Sequence, residues 1–145
     1  MSAVDTHMLF AVMAMVLLTL AVWLRLYFER LNEMKTRRIH PQKVATRAMA
    51  AEALTDTRAA DHFKNLFEVP VLFYAAVAFI LIAHAADNMT VVTAWVFVAC
   101  RVAHALIHVT YNTVMHRFGA YVLGCLAVWA LWGELAWYCW THATP

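Results

Sequence analysis

Four long apolar runs, separated by three connections of unequal length, dominate the chain. The first covers residues 8–24 and carries Arg25 at its end, from where a long side chain can snorkel to the interface. The second is VPVLFYAAVAFILIAHAA, residues 69–86. The third covers residues 90–109 and is interrupted by Arg101, His104 and His108, and the fourth covers residues 118–140 and is interrupted only by Glu134. A helix needs about 20 apolar residues, at about 1.5 Å each, to cross the hydrocarbon of a bilayer. The pattern therefore predicts an all-α polytopic membrane protein, a bundle of four transmembrane helices. Its spans lie near 8–28, 69–86, 90–110 and 118–140 in one membrane domain, residues 1–145. The short second and third connections make the last three helices antiparallel neighbours. The first connection, residues 29–68, has one strong break at His40-Pro41. Span one is expected to continue helically towards Lys35, a short helix to form over 44–54, and the second membrane helix to start before Pro70, which should kink it rather than end it.

Composition excludes the alternatives. Of 145 residues, 64% are hydrophobic and 14% charged, against roughly 45–50% and about 25% in a soluble domain. A soluble fold of this size could not cover that apolar surface. Low charge with three Gly and three Pro excludes disorder, collagen and coiled coil. Cys100, Cys125 and Cys139 are odd in number and lie in apolar runs, so they read as small buried residues rather than a disulfide framework or thiolate metal site. The first run lacks a preceding basic segment and a small-residue cleavage site, so it reads as a retained span and not a signal peptide.

The net charge of +2 acquires meaning only when mapped onto the connections. Eight of the eleven Lys and Arg residues lie in 29–68: Arg30, Lys35, Arg37, Arg38, Lys43, Arg47, Arg58 and Lys64. Arg117 lies in the third connection, and the N-terminal segment, the turn at 87–89 and the C-terminal tail have none. The positive-inside rule puts both basic connections in the cytoplasm and both termini on the outer side, across the inner membrane if the cell is bacterial. Trp132, Trp137, Tyr138 and Trp140 form an aromatic belt at the outer end of span four. The basic connection touches anionic lipid, and no nucleic-acid partner is expected.

The candidate chemistry lies in the polar residues that occupy hydrocarbon. At about 100° per residue, Arg101, His104, His108, Tyr111 and Asn112 fall within about 100° of arc on span three. An ionisable residue facing lipid costs roughly 2.5–3.5 kcal/mol or more, so such residues turn to the bundle interior or to a wet cavity. Arg58, Asp61, His62, Asn65 and Glu68 form a second stripe, within about 120°, at the start of helix two. Both approach the cytoplasmic interface, and with Arg117 they would line a net basic cleft open to cytoplasm and membrane. It suits a small anionic ligand beside an apolar one: arginines take carboxylates in a bidentate way, and Asn65 and Glu68 can accept from an ammonium.

These residues carry a family resemblance. Asn65-Leu-Phe-Glu68-Val-Pro70 followed by VLFYA resembles the entrance to helix two in bacterial proteins of the MAPEG family, the membrane-associated proteins in eicosanoid and glutathione metabolism. Arg101-x-x-His104-x-x-x-His108 resembles that branch's third-helix motif. Chain size, four spans and the long basic connection agree, so the resemblance covers essentially the whole chain. It implies a homotrimer with glutathione, as co-substrate, bound between subunits near the cytoplasmic side. It also implies transferase or peroxidase activity on apolar electrophiles or lipid hydroperoxides. Asn65 and Glu68 would hold the glutathione amino end and Arg101 would sit under the peptide. His104 and His108 occupy positions where the eukaryotic enzymes have tyrosines, and Arg117 is the nearest counterpart of the arginine that stabilises the thiolate. Arg58, His62 and Tyr111 complete the expected binding set.

Two departures point the other way. The eukaryotic enzymes have an arginine four residues before the motif asparagine, where this chain has Asp61, and the two tyrosines are absent. A non-catalytic member of the family, acting as a membrane scaffold, ligand-binding or accessory subunit, is thus the alternative to an enzyme. For His104 and His108, hydrogen bonding within the bundle, ligand contact and a metal or haem site all suit the spacing. A third ligand at the same depth is missing, since His84 is near the outer end and His62 below the membrane, so no metal or haem is expected. Arg101 can alternatively pair with an acid of a neighbouring subunit. Glu134 reads as an outer-side structural partner or a water-exposed group rather than a catalytic one.

Overall fold

The computed structural model describes residues 1–53, 58–111 and 113–142, without the side chains of Arg47, Ala51, Arg58, Ala59, Asp61 and His62. Helix α1, Ala3–Thr36, opens on a reciprocal cap: the Ser2 hydroxyl accepts from the Asp5 amide at 3.1 Å and the Asp5 carboxylate accepts from the Ser2 amide at 2.7 Å. No Gly or Pro interrupts its 34 residues. At about 1.5 Å each they reach roughly 50 Å, well beyond the roughly 30 Å of hydrocarbon. The last turns therefore project past the bilayer on the basic side. The helix stops where Arg38 adopts a left-handed φ of 52° and Pro41 follows. The Arg37 guanidinium donates both to the Glu33 carboxylate at 2.8 Å and to the Ala53 carbonyl at 2.9 Å. The second bond ties the short helix α2, Arg47–Ala53, back onto α1.

Helix α3, Arg58–Asn65, does not run straight into α4, Val69–Ile82. Residues 66–68 form a turn instead, with the Leu66 and Phe67 amides donating back to Phe63 and Lys64. This corrects the expectation of a kink within one helix. Pro70 has no N–H for the Leu66 carbonyl and its ring crowds that carbonyl, so the ladder is interrupted one turn before the proline. The two pieces still share one path, and Phe63–Ile82 is long and apolar enough to cross a membrane.

Helix α5, Asn88–Val109, starts on a second reciprocal cap, between Asp87 and Thr90. Helix α6, Val114–His142, returns after a short connection. Four helical segments thus have the length and composition of membrane spans, and the described residues contain no strand. The core joins Met8, Ala11 and Met15 of α1 to Phe73, Ala76 and Ile80 of α4, Ala94 and Phe97 of α5, and Leu131 of α6. Phe73 and Phe97 stack at 4.5 Å between ring centroids. Alanines at 76, 94 and 127 let the backbones approach, as small residues do in membrane bundles. Burial grades across the bundle, with α5 the most enclosed of the four spans and α1 the least. Helix α5 is therefore the central element, and it carries the polar stripe.

Candidate functional site

On α5, Arg101, His104, Ala105 and His108 recur at the spacing of a core stripe, and all four are buried. Arg101 is only 1% exposed and is the largest fully enclosed side chain among the described residues. Its Nη2 donates to the main-chain carbonyl of Asn65 at 3.1 Å. That carbonyl is available because α3 ends there: the turn before Pro70 leaves it without a helical partner among the described backbone bonds. The guanidinium carbon also lies 5.8 Å from the centre of the Tyr121 ring, on α6, an attractive arrangement of cation and ring quadrupole. Both contacts come from within the chain. Among the described residues Arg101 makes no ion pair and its Nε has no hydrogen-bond partner.

His104 closes the same corner from the side. Its Nδ1 is 3.1 Å from the main-chain oxygen of Arg117. A carbonyl only accepts, so Nδ1 carries the proton and donates it. The bond fastens the first turn of α6 to α5. Ring centroids put His104 6.2 Å from His108 and 6.0 Å from Tyr121. Gly124, one turn beyond Tyr121, completes the wall. A Cβ there would meet Cys100, Arg101 and Phe97 at 3.6–3.8 Å, ordinary contact distances, so there is room for a methyl group between α6 and the arginine but not for a large side chain.

The expected residues divide accordingly. Asn65, Arg101, His104 and the main chain of Arg117 come together where α3, α5 and α6 meet, and His108 joins them through its ring. The Arg117 side chain is half-buried. Glu68 is exposed at the start of α4, caps nothing with its side chain, and lies within electrostatic range of Arg101 and Tyr121. Tyr111 stands apart: it is 59% exposed, and its hydroxyl lies 3.2 Å from Nδ1 of His116. The helical spacing that aligned it with Arg101 ends with α5 at Val109, so its angle on the wheel no longer applies. The side chains of Arg58, Asp61 and His62, and the whole of Asn112, lie outside the described residues. No group of three or more His, Cys, Asp or Glu able to hold a metal occurs among the described residues.

Tyr121 is the residue that the sequence reading missed. It looks like one more aromatic of an apolar span. Its signal is its register: with Gly124, Val128, Leu131 and Leu135 it falls on the stripe of α6 that turns towards the bundle.

Beside the polar corner, α1, α3 and α4 leave an apolar groove of about 400 Å³. Leu20 and Trp23 form one wall, and Phe63, Leu66 and Phe67, on either side of Asn65, form the other. A buried cation next to a lipid-level groove can hold the anionic end of one reactant against an apolar second one. The MAPEG family model matches residues 8–137 of the chain. No curated protein and no solved structure matches it.

Proposed function

The chain belongs to the MAPEG family of multi-pass membrane proteins, and on that premise we propose that it is a glutathione-dependent transferase or peroxidase acting on apolar electrophiles or lipid hydroperoxides. The observation that carries this reading is Arg101, enclosed at 1% exposure with no acid paired to it among the described residues. A buried charge with no acid in ion-pair contact is costly in lipid, and an anionic ligand can supply that partner. Glutathione carries two carboxylates and a thiol. In this proposal Asn65 and Glu68 hold its amino end, and Arg101, with His104 and His108 beside it, lies under the peptide. Arg58, His62 and Tyr111 belong to the outer part of the site. Arg117 stabilises the thiolate, since a free thiol has a pKa of about 8.5 and a nearby cation lowers it. The thiolate then attacks the second reactant, which approaches along the apolar groove. The proposal includes a homotrimer with the cleft between subunits and both termini on the non-cytoplasmic side. It requires no metal or haem.

A second reading, a non-catalytic scaffold or accessory subunit, is favoured by one specific observation. His104, which stands where the eukaryotic enzymes place a tyrosine, spends its Nδ1 proton on the backbone of α6. Calorimetry of glutathione on the purified protein in detergent separates the two, with Glu68→Ala and Arg117→Ala alongside. The enzyme reading expects saturable binding, weakened at least tenfold by Glu68→Ala. It also expects a pH-dependent thiolate absorbance that Arg117→Ala abolishes. Absence of binding at millimolar glutathione removes that reading and leaves the scaffold.

A further inference from the structure

Glu134 lies on α6, roughly two turns before its end at His142 and at the opposite end of the bundle from Arg101. It is half-buried at hydrocarbon depth and faces α5. We propose that Glu134 is a membrane-embedded proton-binding site, a carboxylic acid that keeps its proton at neutral pH and donates it to Thr93, so that the shared proton clasps α6 to α5.

The first argument is a count of protons. The Thr93 hydroxyl oxygen lies 2.8 Å from Oε1 of Glu134 and 3.0 Å from the main-chain oxygen of Met89. A hydroxyl has one proton to give, and a carbonyl can only accept. If Thr93 donates to Met89, the short contact with Glu134 needs a proton from the carboxyl. The chain Glu134 O–H to Thr93 O–H to Met89 carbonyl satisfies every member. With an ionised carboxylate, the one hydroxyl proton has to be divided between two acceptors, a weaker three-centre arrangement.

The second argument concerns the other oxygen. Oε2 of Glu134 is enclosed and has no hydrogen-bond partner among the described residues. In a neutral acid that atom is a single carbonyl oxygen. In a carboxylate it would carry half a charge out of water, and an unpaired buried charge is far costlier than an unpaired dipole.

The third argument is the absence of a Lys or Arg at this end of the bundle to neutralise the group. No Lys or Arg occurs before Arg25, between residues 65 and 100, or after Arg117. Arg101, the nearest in sequence to Thr93, is eight residues farther along α5, about 12 Å away. A second copy packed side by side in the same orientation offers nothing different at this depth. At the same end of the bundle lie the carboxylate of Asp87, at the cap of α5, and the imidazoles of His84, just after α4, and His142, roughly two turns on along α6. From α4, which also packs on α6, the only titratable side chain is Tyr74, near the other end. On α6 itself Tyr138 follows one turn on.

A membrane-soluble carbodiimide tests this directly, because it reacts with protonated carboxyls in lipid. The acid's proton passes to a carbodiimide nitrogen, the carboxyl oxygen bonds to the central carbon, and an acyl shift to nitrogen leaves a stable acylurea with no atom lost. Peptide mapping of wild-type protein treated with dicyclohexylcarbodiimide at pH 7 should place the adduct on Glu134. In infrared spectra at the same pH, the carbonyl stretch of a protonated carboxyl should be present in wild type and absent from Glu134→Gln. Failure to detect that band at neutral pH, or its persistence in Glu134→Gln, overturns the proposal. If the variant does not fold, the adduct on the wild-type chain decides: its presence on Glu134 supports the proposal and its absence there overturns it.

Discussion

A guanidinium has five N–H donors, and the enclosed Arg101 commits one of them to the Asn65 carbonyl, while its charge lies near the Tyr121 ring and its Nε has no hydrogen-bond partner among the described residues. Replacing such a buried cation with an apolar side chain of similar length is often neutral or stabilising. Arg101→Met is therefore expected to hold its thermal midpoint in detergent or raise it, while glutathione binding disappears. A large loss of stability would instead mark the arginine as a structural brace. At Tyr121 the two parts of the side chain can be separated. Tyr121→Phe keeps the ring and should cost little, whereas Tyr121→Leu should cost about 1 kcal/mol of cation–ring attraction, read from thermal unfolding of the two variants. If phenylalanine costs as much as leucine, the hydroxyl and not the ring holds Arg101. The stripe of Arg101, His104 and His108 was legible because charged residues in hydrocarbon have nowhere to turn except inward. For Tyr111 the wheel angle does not apply, because a wheel assumes that the helix continues and α5 ends at Val109. Tyr121 escaped notice because a phenol is at home at any depth of an apolar span, so nothing in its residue type separates a site from a filler.

Between helices, the same corner depends on two small backbone facts. Pro70 interrupts the ladder between α3 and α4, and the interruption leaves the Asn65 carbonyl to Arg101. Pro70→Ala restores a donor for the Leu66 carbonyl and lets the helix run on, which brings the Val69 amide into competition for Asn65. Hydrogen bonds to a charged donor contribute about 1.5–3 kcal/mol. The variant should therefore gain helix by circular dichroism, yet bind glutathione more weakly. Unchanged binding would mean that the break has no part in the site. Gly124 sets the spacing of α5 and α6. Its open contacts at 3.6–3.8 Å accept one methyl group, and alanine is favoured over glycine in a helix by about 0.5–1 kcal/mol. Gly124→Ala should thus be neutral or slightly stabilising. Gly124→Leu should lose about 1–3 kcal/mol by overpacking against Arg101, measured as a fall in thermal midpoint. The four apolar helices were legible from run length alone. The break at 66–68 was not, because a proline in a membrane helix is compatible with a kink or a stop, and only the packing of α3 against α1 and α5 selects between them.

At the scale of the whole molecule, an even number of spans puts both termini on one side of the bilayer, so one measurement of sidedness orients every residue in the fold. The apolar surplus that identifies the spans is blind to direction. The basic residues are not, because Arg30, Lys35, Arg38 and Lys43 cluster in the last turns of α1 and just beyond them, while the end carrying Asp5, Asp87 and His142 has no Lys or Arg. Short basic connections stay in the cytoplasm, so that cluster predicts the direction. Lys43 and Thr141 are both exposed and lie towards opposite ends of the bundle. With Cys100, Cys125 and Cys139 first replaced by alanine, Lys43→Cys should react with a membrane-impermeant maleimide only in inside-out vesicles, and Thr141→Cys only in right-side-out ones. The reverse pattern would turn the site of Arg101 and Arg117 towards the outside, away from cytosolic glutathione, and the enzymatic proposal would fall with it. The expected pattern places the polar corner at the cytoplasmic face and Glu134 in the outer half of the membrane. The buried cation and the protonated acid would then serve opposite leaflets of one α5–α6 hairpin: Arg101 would be kept charged because a water-soluble anion reaches it, and Glu134 would be kept neutral because no Lys or Arg lies at its end of the bundle.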